Sequence, residues 1–251
     1  MMHIEDWLKH VTLDFVFCSS RRDRRRTRTS SGQVVFDRKE FLCARRPETL
    51  ETRALLSVDA VFVNNLVPGR SLSFWSELTN VNGTLFFAGG IDRSDGELWK
   101  SDGTVTGTML VKRFPSEPLP SSLSELTNVN GTLFFTTIDG TNGRELWKSD
   151  GTPAGTMLVK DIQSGIRSSE PEDLVNVNGT LFFRASDGIQ GYRVWRSDGT
   201  PAGTTVVSVG IHANPYLLTN VNGTLFFASN FGNFGHQLWK SDGTAAGTTL
   251  V

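Results

Sequence analysis

Apolar and polar residues alternate along this chain in short runs, and each run stops at a turn-forming pair. Ser124–Val129 alternates and stops at Asn130–Gly131. Asn-Gly between two apolar runs predicts a type I′ hairpin, because that turn needs positive φ at both central residues. The return segment Thr132–Thr136 reads TLFFT. Its consecutive apolar residues suit a strand buried on both faces. A glycine-rich loop, Ile138–Gly143, leads to a third strand, Arg144–Lys148. Asp150–Gly155, DGTPAG, predicts a second turn, and Thr156–Asp161 a fourth strand. Helical periodicity is largely missing.

This unit occurs four times. LTNVNGTLFF spans Leu78–Phe87, Leu126–Phe135 and Leu218–Phe227, and LVNVNGTLFF spans Leu174–Phe183. LWKSDGT follows at Leu98–Thr104, Leu146–Thr152 and Leu238–Thr244, with VWRSDGT at Val194–Thr200. Both phrases advance in steps of 48, 48 and 44 residues. Self-similarity at this period marks stacked copies of one supersecondary unit. Four strands in about 48 residues predict an all-β fold, a β-propeller-like array of four four-stranded repeats. The repeats run at about 76–123, 124–171, 172–215 and 216–251. Val61–Gly69, VFVNNLVPG, aligns with Leu158–Gly165 and reads as a degenerate leading strand, so the repeat domain takes in 58–251. Such a strand is able to close a ring by completing the last blade. An open array, self-association that completes the ring between copies, and a piece of a longer array are the alternatives.

Composition divides the chain in the same place. About 38% of residues are hydrophobic, enough for a core. Residues 1–53 carry 12 Lys and Arg against 8 Asp and Glu, whereas 54–251 carry 13 against 18. The basic excess sits in Arg21–Arg28, RRDRRRTR, read as solvated rather than as a nucleic-acid or membrane anchor. Residues 1–57 read as a largely disordered basic leader. Cys18 and Cys43 both precede the repeats, so no disulfide framework or metal knuckle supports the array; a bridge between them stays open. No run approaches the ~20 apolar residues of a membrane-spanning helix. Trp7–Cys18 is the one apolar stretch near the start, and Lys9, His10 and Asp14 interrupt it, so no conventional signal peptide is visible.

The repeats test candidate chemistry against themselves. Glu97 and Glu145 of the ELW phrase become Arg193 and Gln237 in the later copies, which argues against one repeated reaction. His3, His10, His212 and His236 fall in no metal-ligand spacing. No nucleophile elbow, phosphate loop or dinucleotide fingerprint appears, and no catalytic, cofactor or metal residue is assigned. Asp102, Asp150, Asp198 and Asp242 recur in every SDGT. They read as Asx-turn residues rather than calcium ligands, since each turn carries one strong carboxylate. The second Asp-Gly pairs, at Asp139 and Asp187, are lost in the fourth unit. Asn82–Gly83, Asn130–Gly131, Asn178–Gly179 and Asn222–Gly223 read as hairpin turns. The turn accounts for their asparagines, although each NGT also fits a glycosylation sequon. Trp99, Trp147, Trp195 and Trp239 read as blade-to-blade packing. The spread of Lys and Arg over the blades lacks the stripe that nucleic-acid binding requires.

ELWKSDGT at Glu97–Thr104 and Glu145–Thr152, the second followed by AGT and LVKDI, resembles the bacterial ELWxxDGT repeat family over about 75–251. That resemblance implies propeller-like β repeats in secreted or surface proteins, with no attributed catalytic residues. Arg45–Ser57, RRPETLETRALLS, is similar to the LEPRxLL-type amino-terminal motif of planctomycete extracellular proteins. Leu50, Glu51, Arg53, Leu55 and Leu56 match, and Thr52 stands where proline is common. This second resemblance implies export to the cell surface or beyond.

The expected function is a non-enzymatic surface scaffold whose variable linkers, Arg113–Ser122, Ile162–Glu170 and Val209–Pro215, meet a protein or glycan partner. The alternative is a lectin-like binder. Aromatics outside the repeated frame would carry it, with Tyr216, Phe231 and Phe234 as ligand-stacking residues beside Trp75 and Tyr192. A propeller hydrolase or lyase is the third reading, and the sequence offers it no acid–base set.

Overall fold

The computed structural model describes residues 74–90, 96–115, 123–207, 214–230 and 235–251. The leader, both cysteines, the 45–57 motif, the 61–69 segment, Phe231 and Phe234 lie outside these residues.

Regular structure among the described residues is entirely β. β1 (Phe74–Val81), β2 (Thr84–Gly90), β3 (Gly96–Ser101) and β4 (Met109–Phe114) form the first blade. β5 (Ser124–Val129), β6 (Thr132–Ile138), β7 (Arg144–Ser149) and β8 (Met157–Lys160) form the second. β9 (Glu172–Val177), β10 (Thr180–Ser186), β11 (Tyr192–Ser197) and β12 (Thr205–Val206) form the third. β13 (Pro215–Val221), β14 (Thr224–Asn230), β15 (His236–Ser241) and β16 (Thr249–Leu250) form the fourth. Each blade is an antiparallel meander in chain order. The first and last blades begin at Phe74 and Pro215, slightly ahead of the repeat bounds, because their first strands pair back to Gly90 and Ser229.

Local chemistry sets the turns. Asn130 has φ 51° and Gly131 83°, and the other three Asn-Gly pairs repeat these values closely. Asn128 Oδ1 accepts from the Gly131 amide at 2.9 Å, which ties the hairpin shut. Asn80, Asn176 and Asn220 do the same in their blades.

The SDGT turn is built from its own hydroxyls. Asp150 Oδ1 accepts from the Thr152 amide at 2.8 Å and its hydroxyl at 2.7 Å. Thr152 Oγ1 accepts from Gly155 N at 2.9 Å, and Ser149 and Thr156 hydroxyls meet at 2.7 Å beneath the loop. All four copies share this pattern, and the threonine hydroxyl and amide hold each of the four carboxyls below the ordinary value. The pattern also explains the glycine of AGT. A Cβ on Gly155 would fall inside the Asp150 carboxylate. We expect Gly155→Ala to lower the urea midpoint. The loss should shrink in an Asp150→Ala background, because the obstructing group is then gone. Equal losses in both backgrounds would refute the steric account.

Packing between blades supplies the core. Val81, Phe86 and Leu98 of the first blade meet Leu133, Phe135 and Trp147 of the second. Val129, Phe134 and Leu146 then meet Leu181, Phe183 and Trp195. Val177, Phe182 and Val194 meet Leu225, Phe227 and Trp239. Each TLFF strand therefore sends Leu and the second Phe backward, and the first Phe forward. Burial of one such side chain contributes about 1.5–3 kcal/mol. The tryptophans lie on the backward faces, and Trp195 and Trp239 stack on Phe183 and Phe227 of their own blades at 6.5 and 6.4 Å between centroids. The first strands of successive blades, β1, β5, β9 and β13, adjoin one another. Each fourth strand is thus the outer one, and β12 and β16 are only two residues long. The fold is a β-propeller-like array of four blades in series.

Candidate functional site

The repeated polar residues are used inside the scaffold. Lys100, Lys148 and Arg196 each donate across to the SDGT glycine carbonyl of the next blade, at 2.8, 2.9 and 3.1 Å. Asn130 and Asn178 donate to Gly179 O and Gly223 O, so these hairpin asparagines also join blades.

Function is better sought where the blades differ, and the slot ahead of LW differs most. Glu97 accepts from Trp99 Nε1 at 3.0 Å and pairs with Arg113. Arg193 pairs with Asp187 and donates to Gln190 Oε1 at 3.0 Å. Glu145 is buried and grips the linker to the third blade. Its Oε2 accepts from Ile162 N at 3.1 Å and Ser169 Oγ at 2.6 Å. Its Oε1 accepts from Gln163 N at 3.2 Å and Ser169 N at 3.1 Å. Burial pushes this carboxyl up to about 7, against the four hydrogen bonds, which favour its charged form.

The gripped linker, residues 162–170, is fastened on both flanks. Arg144 N donates to Ser168 Oγ at 2.9 Å, and Ser186 N donates to Ser169 O at 2.9 Å. A Cβ on Gly188 would meet Gln163 Nε2 at 2.7 Å, so the linker also adjoins the β10–β11 loop. Between its anchors the linker exposes Ile166, 78% accessible, beside Arg167. The β10–β11 loop exposes Ile189, 83% accessible, and is braced by Asp187 accepting from Ile189 N at 3.1 Å. Two apolar tips thus project from unlike loops that are hydrogen-bonded at their bases. This is the candidate site. The sequence marked the linker as variable but gave no sign that Glu145 anchors it, since the copies replace that glutamate.

A second group was not singled out in the sequence. Glu77, Glu125, Asp173 and Leu217 occupy one slot in the four first strands, at β-bulges, with φ of 60°, 62°, 54° and 57°. Glu125 Oε2 accepts from Leu174 N at 3.1 Å, and Asp173 Oδ2 from Leu217 N at 2.7 Å. Burial raises the Glu125 carboxyl; the Leu174 amide opposes this, and Asp173, Glu77 and Glu172 add to it by charge repulsion. The available signal was a carboxylate at one repeat position in three copies. No group of three or more potential metal-ligating side chains occurs among the described residues.

Of the aromatics singled out, Tyr216 is half-buried and its hydroxyl lies 2.6 Å from His236 Nδ1, with the rings edge-on at 5.9 Å. Tyr192 carries the Arg184 guanidinium 4.4 Å above its ring. Trp75 belongs to β1. Among the described residues, no helix is long and apolar enough to cross a membrane.

Neither a protein-family model nor a curated protein matches the sequence. Solved structures match the fold. A puromycin hydrolase aligns over 70% of this chain and 29% of its own, with TM-score 0.51 and 11% identity. A prolyl endopeptidase aligns over 67% of this chain and 24% of its own, with TM-score 0.48 and 12% identity. An α-L-arabinofuranosidase from Clostridium thermocellum aligns over 69% of this chain and 70% of its own, with TM-score 0.35 and 15% identity. The chain spans less than a third of the hydrolase and of the peptidase. The likeness to the hydrolase is one of fold alone.

Proposed function

We propose that this chain is a non-enzymatic β-repeat scaffold that presents unlike loops to a macromolecular partner at the cell surface or beyond. The observation that carries the reading is the 162–170 linker. A buried carboxylate and two flanking strands hold it still, while Ile166 and Ile189 stand in solvent. Fixing a loop before binding lowers the ordering cost of association. Two carboxylates of the inner row are already engaged by backbone amides, which supports a structural role for that row over acid–base chemistry. Export rests on the resemblance of residues 45–57.

The test is retention of extracellular and envelope components on immobilised full-length chain, compared with Ile166→Asp and Ile189→Asp. A component held by the unaltered chain and lost by both variants supports the reading. Components held equally by all three sink it. Glycan binding is the second reading, favoured by Tyr216, whose ring is steadied by His236. A glycan array bound by the unaltered chain and not by Tyr216→Ala would transfer the function to that rim.

A further inference from the structure

Among the described residues, three blade interfaces repeat one set of contacts, and the outer faces of the first and fourth blades carry its unmatched halves. Val81, Val129 and Val177 are buried against the following blade, but Val221 is 46% exposed. Leu98, Leu146 and Val194 are buried likewise, but Leu238 is 50% exposed. At the other end, Leu133, Leu181 and Leu225 are fully buried against the preceding blade, whereas Leu85 is 38% exposed.

The polar contacts break off in the same way. A Cβ on Gly151, Gly199 or Gly243 would meet the ring of Phe86, Phe134 or Phe182 from the blade before, at 3.0, 3.1 and 2.9 Å. Gly103 is their equivalent in the first blade, and nothing among the described residues lies within 4 Å of that position. Gly131, Gly179 and Gly223 are each approached by the preceding blade's hairpin asparagine, while no described residue comes within 4 Å of the same position on Gly83. Lys240 occupies the slot whose other members, Lys100, Lys148 and Arg196, reach a following glycine carbonyl. It has no such acceptor among the described residues.

We propose that the forward face of the fourth blade docks on the backward face of the first blade of a second copy. Lys240 then donates to Gly103 O, Phe226 covers Gly103, Asn222 reaches Gly83, and Leu238 meets Leu85. The occupant is argued from continuity. Each free face already has its complement within this chain, used three times, so no new recognition chemistry is required. The contact is heterologous, joining unlike faces. Two copies joined twice give an eight-bladed ring, within the usual propeller range of roughly four to eight blades.

Full-length chain is measured by size exclusion with light scattering over a dilution series, alone and as Leu238→Asp, Leu85→Asp and Lys240→Glu. All three side chains are at least partly exposed in the single copy, and circular dichroism confirms that each variant keeps its β signal. Leu238→Asp and Leu85→Asp should each abolish the assembly, and Lys240→Glu should shift its dissociation to higher concentration. An equimolar mixture of Leu238→Asp and Leu85→Asp should regain a dimer, because the unaltered forward face of one meets the unaltered backward face of the other. An unaltered chain that stays monomeric throughout overturns the proposal. Dissociation by only one of the two aspartate variants also overturns it, since a like-to-like contact uses one face.

Discussion

Phe183→Ala should remove about 3–5 kcal/mol of stability, the usual cost of deleting a fully buried aromatic from a core that cannot collapse. Phe183 is fully buried between the second and third blades, against Val129, Phe134 and Leu146 on the blade before. Arrays of this kind are held by nearest-neighbour interfaces. A cavity at the middle interface therefore weakens the coupling between two pairs of blades as well as the local packing. Urea unfolding followed by circular dichroism and by tryptophan fluorescence should coincide for the unaltered chain and separate for the variant. Coincident curves with a loss below about 1 kcal/mol would mean that this interface is not where the stability resides.

The second large effect is a pH dependence carried by Glu145. Its carboxyl titrates near 7 in the folded chain, against 4.5 for an ordinary glutamate. A raised pKa means that the folded state holds the proton where the unfolded state has released it. Stability from this group is then greatest below about pH 4.5 and declines as pH rises toward 7. The difference between the two values corresponds to about 3 kcal/mol. Asp102, Asp150, Asp198 and Asp242 act in the opposite sense and in another window. Their lowered values make stability fall only as pH drops below the ordinary aspartate range. Thermal unfolding between pH 5 and 7 should show a midpoint that falls more steeply for the unaltered chain than for Glu145→Gln, the remaining slope of the variant coming from the raised Glu125 carboxyl. Parallel curves would show that Glu145 does not titrate in this range. Because Glu145 anchors the linker that exposes Ile166, opening that releases its carboxylate to water should become easier over the same range, read as protection factors at Ile162 and Ser169 that fall toward pH 7 after correction for the intrinsic base-catalysed rate.

The repeated frame was readable because its determinants are local. Asn-Gly forces the hairpin, and Asp, Thr and the glycine of AGT close the second turn within six residues. Consecutive TLFF positions announce a strand covered on both sides. The Glu145 clamp was not readable, because its four donors lie 17 to 24 positions away and its copies are Glu, Arg and Gln. The bulge row was hidden for a different reason. A left-handed Glu77, Glu125 or Asp173 is disfavoured by its own backbone, so nothing local predicts it.

Tertiary context also divided residues that the sequence treats alike. Val177 and Val221 stand in the same NVNGT, yet one is buried and the other is open to solvent. Gly151 and Gly103 belong to the same SDGT, yet only one is covered by a phenylalanine. The sequence by itself determined the unit: four strands, two turns and two apolar faces, repeated four times. Only the tertiary structure decided which faces find a neighbour, because burial belongs to a pair of surfaces and the described residues form three such pairs among four blades.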